Sequence, residues 1–145
     1  MNFNDCVKFA NENKTCYIAT MDGDQPRVWP VGLWYADENG FYIQTQTVKA
    51  FAKQMVKNPK IEICFFSREA APPNGIVLRV YGNVKPITDM AMRKKCLKER
   101  VFLKGLGIDS PDNPMLSIFH LYTGEAFFWT GADSMKEAEI PRIKF

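Results

Sequence analysis

The chain has 145 residues, of which 46% are apolar and 24% charged, and its formal net charge is +3. That length suits a single domain with a modest core, and the composition excludes disorder and fibrous repeats. The charge lacks the concentrated basic face of a nucleic-acid binder, and no apolar run in the sequence is long enough to span a membrane.

Phe3, Val7 and Ala10 recur about one turn apart, so residues 3–13 read as an amphipathic helix with Asn2 or Asn4 as its cap. Residues 15–21 read as a strand, residues 22–26 as a tight turn, and residues 27–35 as the returning strand. A second turn over residues 37–40 leads into a strand over residues 41–46. Three strands joined this tightly predict an antiparallel meander. The period then changes. Val48, Phe51, Ala52, Met55 and Val56 fall on one helical face, with Thr47 placed as N-cap and Asn58-Pro59 as the stop.

Residues 60–66 read as a strand, residues 69–75 as a loop, and residues 76–87 as a long strand. Thr88 is placed to cap a helix over residues 89–103, whose outer face carries Arg93, Lys94, Lys95, Lys98 and Arg100. A loop over residues 104–114 precedes a final strand over residues 115–130, with an interruption expected at Gly124. The polar tail, residues 131–145, receives no assignment. No repeat or linker divides the chain, so one domain over residues 1–145 is expected. Six strands with short helices at the ends predict a mainly β protein, a small antiparallel barrel.

Cys6, Cys16, Cys64 and Cys96 form no C-x-x-C pair, and His120 is the single histidine, so a tetrahedral zinc site is not expected. They read as mostly buried free thiols of a cytoplasmic protein, an expectation reinforced by a polar N-terminus without a leader pattern. Eleven Phe, five Tyr and three Trp are many rings for so small a core, which points to a partner surface and a dimer. His120 shares a strand face with Leu116, Ile118 and Tyr122 and reads as half-buried and structural. No nucleophile elbow, P-loop or dinucleotide fingerprint occurs. The carboxylates Asp22, Asp24, Asp37 and Glu38 belong to turns.

Two cations stand out. Arg27 opens a strand, where its fork could grip a phosphate. Lys49 follows Thr47 at a helix start, where N–H groups and an ammonium together favour an anion. Spacing alone favours two solvated surface cations. Residues 28–31 and 43–46 could offer backbone groups and Gln or Thr side chains to the edge of a flat ring, although the pattern alone favours an ordinary barrel wall.

The order of these pieces resembles the pyridoxamine 5'-phosphate oxidase-like family of FMN-binding split barrels, over roughly residues 3–130. The resemblance is carried by Thr15-Cys-Tyr-Ile-Ala-Thr, Gly23-Asp-Gln-Pro-Arg-Val-Trp-Pro-Val and Phe41-Tyr-Ile-Gln-Thr-Gln-Thr-Val-Lys-Ala. It continues in Asn58-Pro-Lys-Ile-Glu-Ile-Cys-Phe-Phe, Val80-Tyr-Gly-Asn-Val and Asn113-Pro-Met-Leu-Ser-Ile-Phe. The compact size is similar to the nitroimidazole-reductase-like branch.

The resemblance implies a six-stranded split barrel with short flanking helices, forming a homodimer with FMN in the subunit interface. It implies Arg27 and Lys49 at the FMN phosphate, and Val28, Trp29, Pro30, Val31, Gln44, Thr45, Gln46 and Thr47 along the ribityl chain and ring. Trp129 would cover the ring from the partner subunit. The implied function is a flavin-dependent oxidoreductase of a small molecule, with no side chain named as catalytic. A non-enzymatic flavin or other cofactor carrier or sensor is the alternative, since relatives of this barrel also bind haem or deazaflavin. The chain departs from the oxidase at Val48 and Gly32, where that enzyme has cations, and near Val77, where it has a glutamine. The oxidase's substrate-phosphate arginines have no clear match.

Overall fold

The computed structural model describes residues 1–67 and 74–145. Most of the loop expected over residues 69–75 therefore lies outside the described residues. The first helix, α1 (Phe3–Glu12), is set by a reciprocal cap. The Asn2 side chain accepts from the Asp5 N–H, and the Asp5 carboxylate accepts from the Asn2 N–H at 2.7 Å. Its inner face buries Cys6 and Ala10.

Strands β1 (Thr15–Asp22) and β2 (Gln25–Gly32) pair in register from Thr15–Gly32 to Asp22–Gln25. Gly23 takes φ +63° in the turn, a conformation that glycine adopts without strain. The returning strand expected to run to residue 35 stops at Gly32. The Leu33 N–H turns back to the Lys14 carbonyl (2.8 Å) and the Trp34 N–H goes to the Tyr42 carbonyl (3.2 Å), so the chain changes partners there. Strand β3 (Tyr35–Asp37) then pairs with β4 (Gly40–Gln46). The expected meander is thus broken, because β2 pairs with β1 alone.

Helix α2 (Ala50–Lys57) follows, then β5 (Lys60–Phe66), β6 (Val77–Pro86) and helix α3 (Met90–Glu99). Asp89, not Thr88, caps α3, accepting from the Met92 N–H at 3.0 Å. The helix is also shorter than expected. It ends at Arg100, and a 3-10 turn covers Val101–Leu106. Strand β7 (Leu116–Trp129) runs through Gly124 without the expected interruption. The irregularity lies two residues earlier in β7, where Tyr122 has no β6 partner between the pairs Asn83–Thr123 and Val84–Leu121. Gly82 and Gly124 face each other in the register, and a Cβ on either would sit 2.0 Å from a carbonyl oxygen of the opposite strand. The tail makes two 3-10 turns and a short strand, β8 (Ile143–Lys144), on β7. Phe145 stacks on Phe3 with ring centroids 4.7 Å apart.

The strands join in the order β2-β1-β5-β6-β7-β4-β3, with every pairing antiparallel. Eight strands rather than six result from the split return strand and from β8. The sheet's two outer strands, β2 and β3, are separated in the chain only by Leu33 and Trp34. The sheet must therefore curl until its edges approach, which makes a barrel with one unpaired seam. Phe41, Phe65, Phe119, Ile18 and Ile63 fill the interior. Each such side chain contributes about 1.5–3 kcal/mol on burial. A second cluster outside the barrel wall, Trp34, Tyr42, Cys96, Leu103, Ile108 and Leu116, seats α3 and the 3-10 turn. Among the described residues no helix is long and apolar enough to cross a membrane.

Candidate functional site

The seam between β2 and β4 opens into a cavity of about 220 Å³. Its sheet wall is Trp29, Pro30, Val31 and Gly32 on one side and Gln44, Thr45 and Gln46 on the other. Along 43–46 the only strand beside β4 among the described residues is β7, so its opposite edge faces the cavity, as does the edge of β2. Lys49 and Phe51, from the start of α2, form one end, and Arg100, Phe102 and Leu106 close the other. The fold thus brings together seven of the sequence-predicted residues: Trp29, Pro30, Val31, Gln44, Thr45, Gln46 and Lys49.

Two of the polar groups are locked by a buried network. The Thr20 hydroxyl donates to Gln54 Oε1 (2.7 Å), and the Trp29 indole N–H donates to Thr20 Oγ1 (2.9 Å) and Gln54 Oε1 (3.3 Å). The Trp29 ring packs at a tilt against Phe51 of α2, with centroids 5.8 Å apart. Gln44 is equally committed. Its Nε2 donates to the Thr45 carbonyl (2.9 Å) and its Oε1 accepts from Arg100 Nε (3.0 Å). Both lone partners of its amide are therefore inside the protein.

Lys49 does not sit in the first helical turn. It is itself the N-cap of α2, through its backbone only, with no side-chain cap hydrogen bond. Thr47, expected as that cap, is engaged elsewhere: its hydroxyl donates to the Pro114 carbonyl (3.0 Å) and its N–H to the Met115 carbonyl (3.0 Å). The loop that accepts them is fixed by Arg93, which donates to the carbonyls of Pro111, Asn113 and Leu116. Arg93 and Arg100, expected on a solvated face, are both half-buried and turned inward. Among lysines that do stay exposed, the two arginines of this helix were the available signal, since a guanidinium can bond several carbonyls at once. Burial pulls the Arg100 pKa down from its ordinary value, without removing its charge at neutral pH. Among the described residues neither Arg100 nor Lys49 has a carboxylate within ion-pair distance.

Three predicted residues lie off this cavity. Thr47 is one. Arg27 pairs with Asp22 at 3.4 Å, with both side chains about half exposed. Val28 points to the opposite face of the sheet, into a groove of about 430 Å³ that also holds Tyr17, Cys64, Arg79 and Trp129. Alternation along β2 separates Val28 from its neighbours. His120 is half-buried, with Nε2 2.8 Å from the Asn39 carbonyl and its ring stacked on Tyr42 at 4.4 Å. Burial lowers its pKa, opposed by the Asn39 hydrogen bond. Cys6, Cys16 and Cys96 are buried and Cys64 half-buried, all four free. Burial pushes the Cys16 thiol up to about 12 and those of Cys6 and Cys96 to about 11, so none of these three is a thiolate at neutral pH. Among the described residues no group of three or more His, Cys, Asp or Glu lies close enough to hold a metal ion.

Comparison with known proteins identifies the architecture. A family model described as pyridoxamine 5'-phosphate oxidase matches residues 4–130. A NimC/NimA family protein from Clostridium acetobutylicum is 25% identical, with a TM-score of 0.78 over 98% of this chain and 92% of that one. An FAD-binding protein from Mesorhizobium loti shares the fold at 17% identity and a TM-score of 0.63, covering 84% of this chain and 90% of its own. HutZ, the heme storage protein of Vibrio cholerae, does so at 16% identity and 0.66, covering 90% and 95%. No curated protein matches the sequence at a significant level.

Proposed function

The chain belongs to the pyridoxamine 5'-phosphate oxidase family, and from that membership we propose that it is an FMN-binding flavoprotein, a flavin-dependent oxidoreductase of a small molecule that works as a homodimer in the cytoplasm. The observation that carries this reading is the seam cavity with Lys49 at its lip. Among the described residues, an ammonium without a carboxylate partner stands there beside a helix start with no side-chain cap hydrogen bond. That donor set fits a phosphate. Arg27 would join it by leaving Asp22, and an exposed pair of this kind is worth only about 0–1 kcal/mol.

The walls fit the remainder of the ligand. The unpaired edges of β2 and β4 offer backbone donors and acceptors, while Trp29, Val31 and Phe51 offer apolar surface. Residues 44–47 would lie along the ribityl chain and ring, with Gln46 and Thr45 contributing more than the committed amide of Gln44. At about 220 Å³ the cavity falls below the roughly 300–1,000 Å³ of ordinary ligand pockets. One protomer therefore supplies an incomplete site, which supports a second subunit as the missing wall. Val28 and Trp129, on the outer groove, are then available to that interface.

Bound flavin would supply the electron or hydride transfer. The chain's own part is to bind the phosphate, orient the ring through fixed backbone edges and the locked Trp29, and keep water from the apolar wall. The barrel also supports haem in HutZ, but the one histidine here is committed to Asn39 and Tyr42, away from the cavity. FMN is the better fit. Purified protein is expected to carry, or take up on titration, one FMN per chain with a flavin absorption spectrum, and to elute as a dimer. A colourless protein that fails to quench FMN fluorescence even at high concentration would remove this reading.

A further inference from the structure

We propose that Asn39 is a modification site at which the chain alters itself: its side-chain amide is lost to give aspartate or isoaspartate, and His120 promotes the step. None of the residues involved lines the seam cavity, so the inference stands apart from the flavin reading. Asn39 is exposed in the turn between β3 and β4 and is followed by Gly40. Among the described residues its side-chain amide has no hydrogen-bond partner, while its N–H donates to Asp37 Oδ1 at 2.8 Å.

The turn requires glycine after Asn39. Gly40 has φ +131°, and a Cβ there would lie 2.1 Å from the Leu121 carbonyl oxygen. The Gly40 nitrogen is therefore shielded by no Cβ, and a bond from it to Asn39 Cγ closes a succinimide ring. Such a nitrogen attacks only after losing its proton, and the negative charge then spreads onto the carbonyl oxygen of the same peptide. That oxygen belongs to Asn39, and His120 Nε2 lies 2.8 Å from it. A carbonyl can only accept, so Nε2 carries the hydrogen and donates it. A donor at that distance stabilises a developing oxyanion. The imidazole is held in place by stacking on Tyr42, with centroids 4.4 Å apart and planes 5° apart.

The atoms balance with water as the only co-reactant. The Gly40 nitrogen gives its proton to solvent and bonds to Asn39 Cγ. The Cγ–Nδ2 bond breaks, and ammonia leaves with a proton taken from water. Water then opens the succinimide at either carbonyl. Aspartate results where the new bond to Cγ breaks, and isoaspartate where the original main-chain bond breaks. Isoaspartate adds a methylene to the main chain of the turn, so the Asp37–Gly40 pairing and the His120 contact no longer fit. Strand β3, only three residues long, is loosened at the edge of the sheet.

The test ages the native protein at neutral pH and follows succinimide, aspartate and isoaspartate by peptide mapping with mass spectrometry. A synthetic peptide of residues 35–42 in the same buffer gives the rate without the fold. Asn74-Gly75, the other Asn-Gly pair of the chain, is the internal reference. Asn39 is expected to convert several-fold faster in the native protein than in the peptide. His120→Phe keeps a ring for Tyr42 and removes the donor, so it should slow Asn39 about tenfold and leave Asn74 unchanged. A native rate no faster than that of the peptide, or an Asn39 rate indifferent to His120→Phe, overturns the inference. If His120→Phe does not fold, the ratio of native protein to peptide still decides. None of these readouts requires FMN, so failure of the flavin reading leaves this one intact, and the reverse.

Discussion

The seam cavity has two walls built on different principles. The sheet wall, from β2 and β4, rests on the barrel interior. All seven residues of β4 are buried, and Phe41 and Ile43 reach the centre of the core. The 3-10 wall, Val101–Leu106, stands on one buried side chain, Leu103, and leaves Val101, Phe102 and Leu106 in solvent. The first wall is rigid because breaking it means breaking the fold. The second can change its residues, and hence its ligand, at little cost to stability. Cofactor contacts placed on the first and substrate contacts on the second would let one barrel serve many substrates.

The largest test of that contrast is in stability. Phe41→Ala should cost about 3–5 kcal/mol in a urea titration, through lost burial and a residual cavity, while Phe102→Ala should stay within about 0.5 kcal/mol. Comparable losses would erase the distinction between the walls. Next come the cations. Lys49→Ala should weaken FMN binding roughly ten- to a hundred-fold, about 1.5–3 kcal/mol, in a fluorescence titration. Arg27→Ala should cost less, because Arg27 must first give up Asp22. Equal losses would mean that Arg27 already points at the ligand.

A smaller effect comes from His120, on the outside of the sheet wall. Burial lowers its pKa, so below about pH 6.5 the unfolded chain takes up a proton that the folded chain resists. Stability is therefore full above that pH and falls as the pH drops through the window beneath it, until the folded state is protonated too. His120→Gln should flatten this part of the stability profile. The smallest effect is chemical: of the four thiols, half-buried Cys64 should react first with a disulfide reagent under native conditions, the buried three only on unfolding.

Much of this was legible in the sequence because it is local. The Asn2 cap, the turn at Gly23, the helical period of Phe51, Ala52 and Met55, and the buried run of β5 all depend on neighbours within a few residues. Residues 29–31, 44–46 and 49, which line the seam cavity, were singled out through the order of motifs, which records the fold without displaying it. What escaped is long-range. The change of partner at Leu33 depends on Lys14 and Tyr42, and the inward turn of Arg100 depends on Gln44, 56 residues earlier. Charge pattern made α3 a solvated basic face, and no periodicity distinguishes an arginine that bonds across a seam from a lysine in water. β8 escaped because two residues, placed only by the edge of β7, carry no period at all.

Leu33 and Trp34 carry the chain from one strand wall of the cavity toward the other, and Arg100 ties the same end by bonding Gln44 and the Gly32 carbonyl. Both linking residues are nearly inaccessible, and Trp34 is tied at its indole to Glu99 (2.7 Å) and at its carbonyl to Lys14 (2.9 Å). The seam thus behaves like a clothes-peg whose spring is that joint. If the seam widens to admit a ligand, the tied end at Trp34 and Glu99 is the one expected to hold, so a change that loosens the Trp34–Glu99 hydrogen bond would alter the width of the seam from a distance.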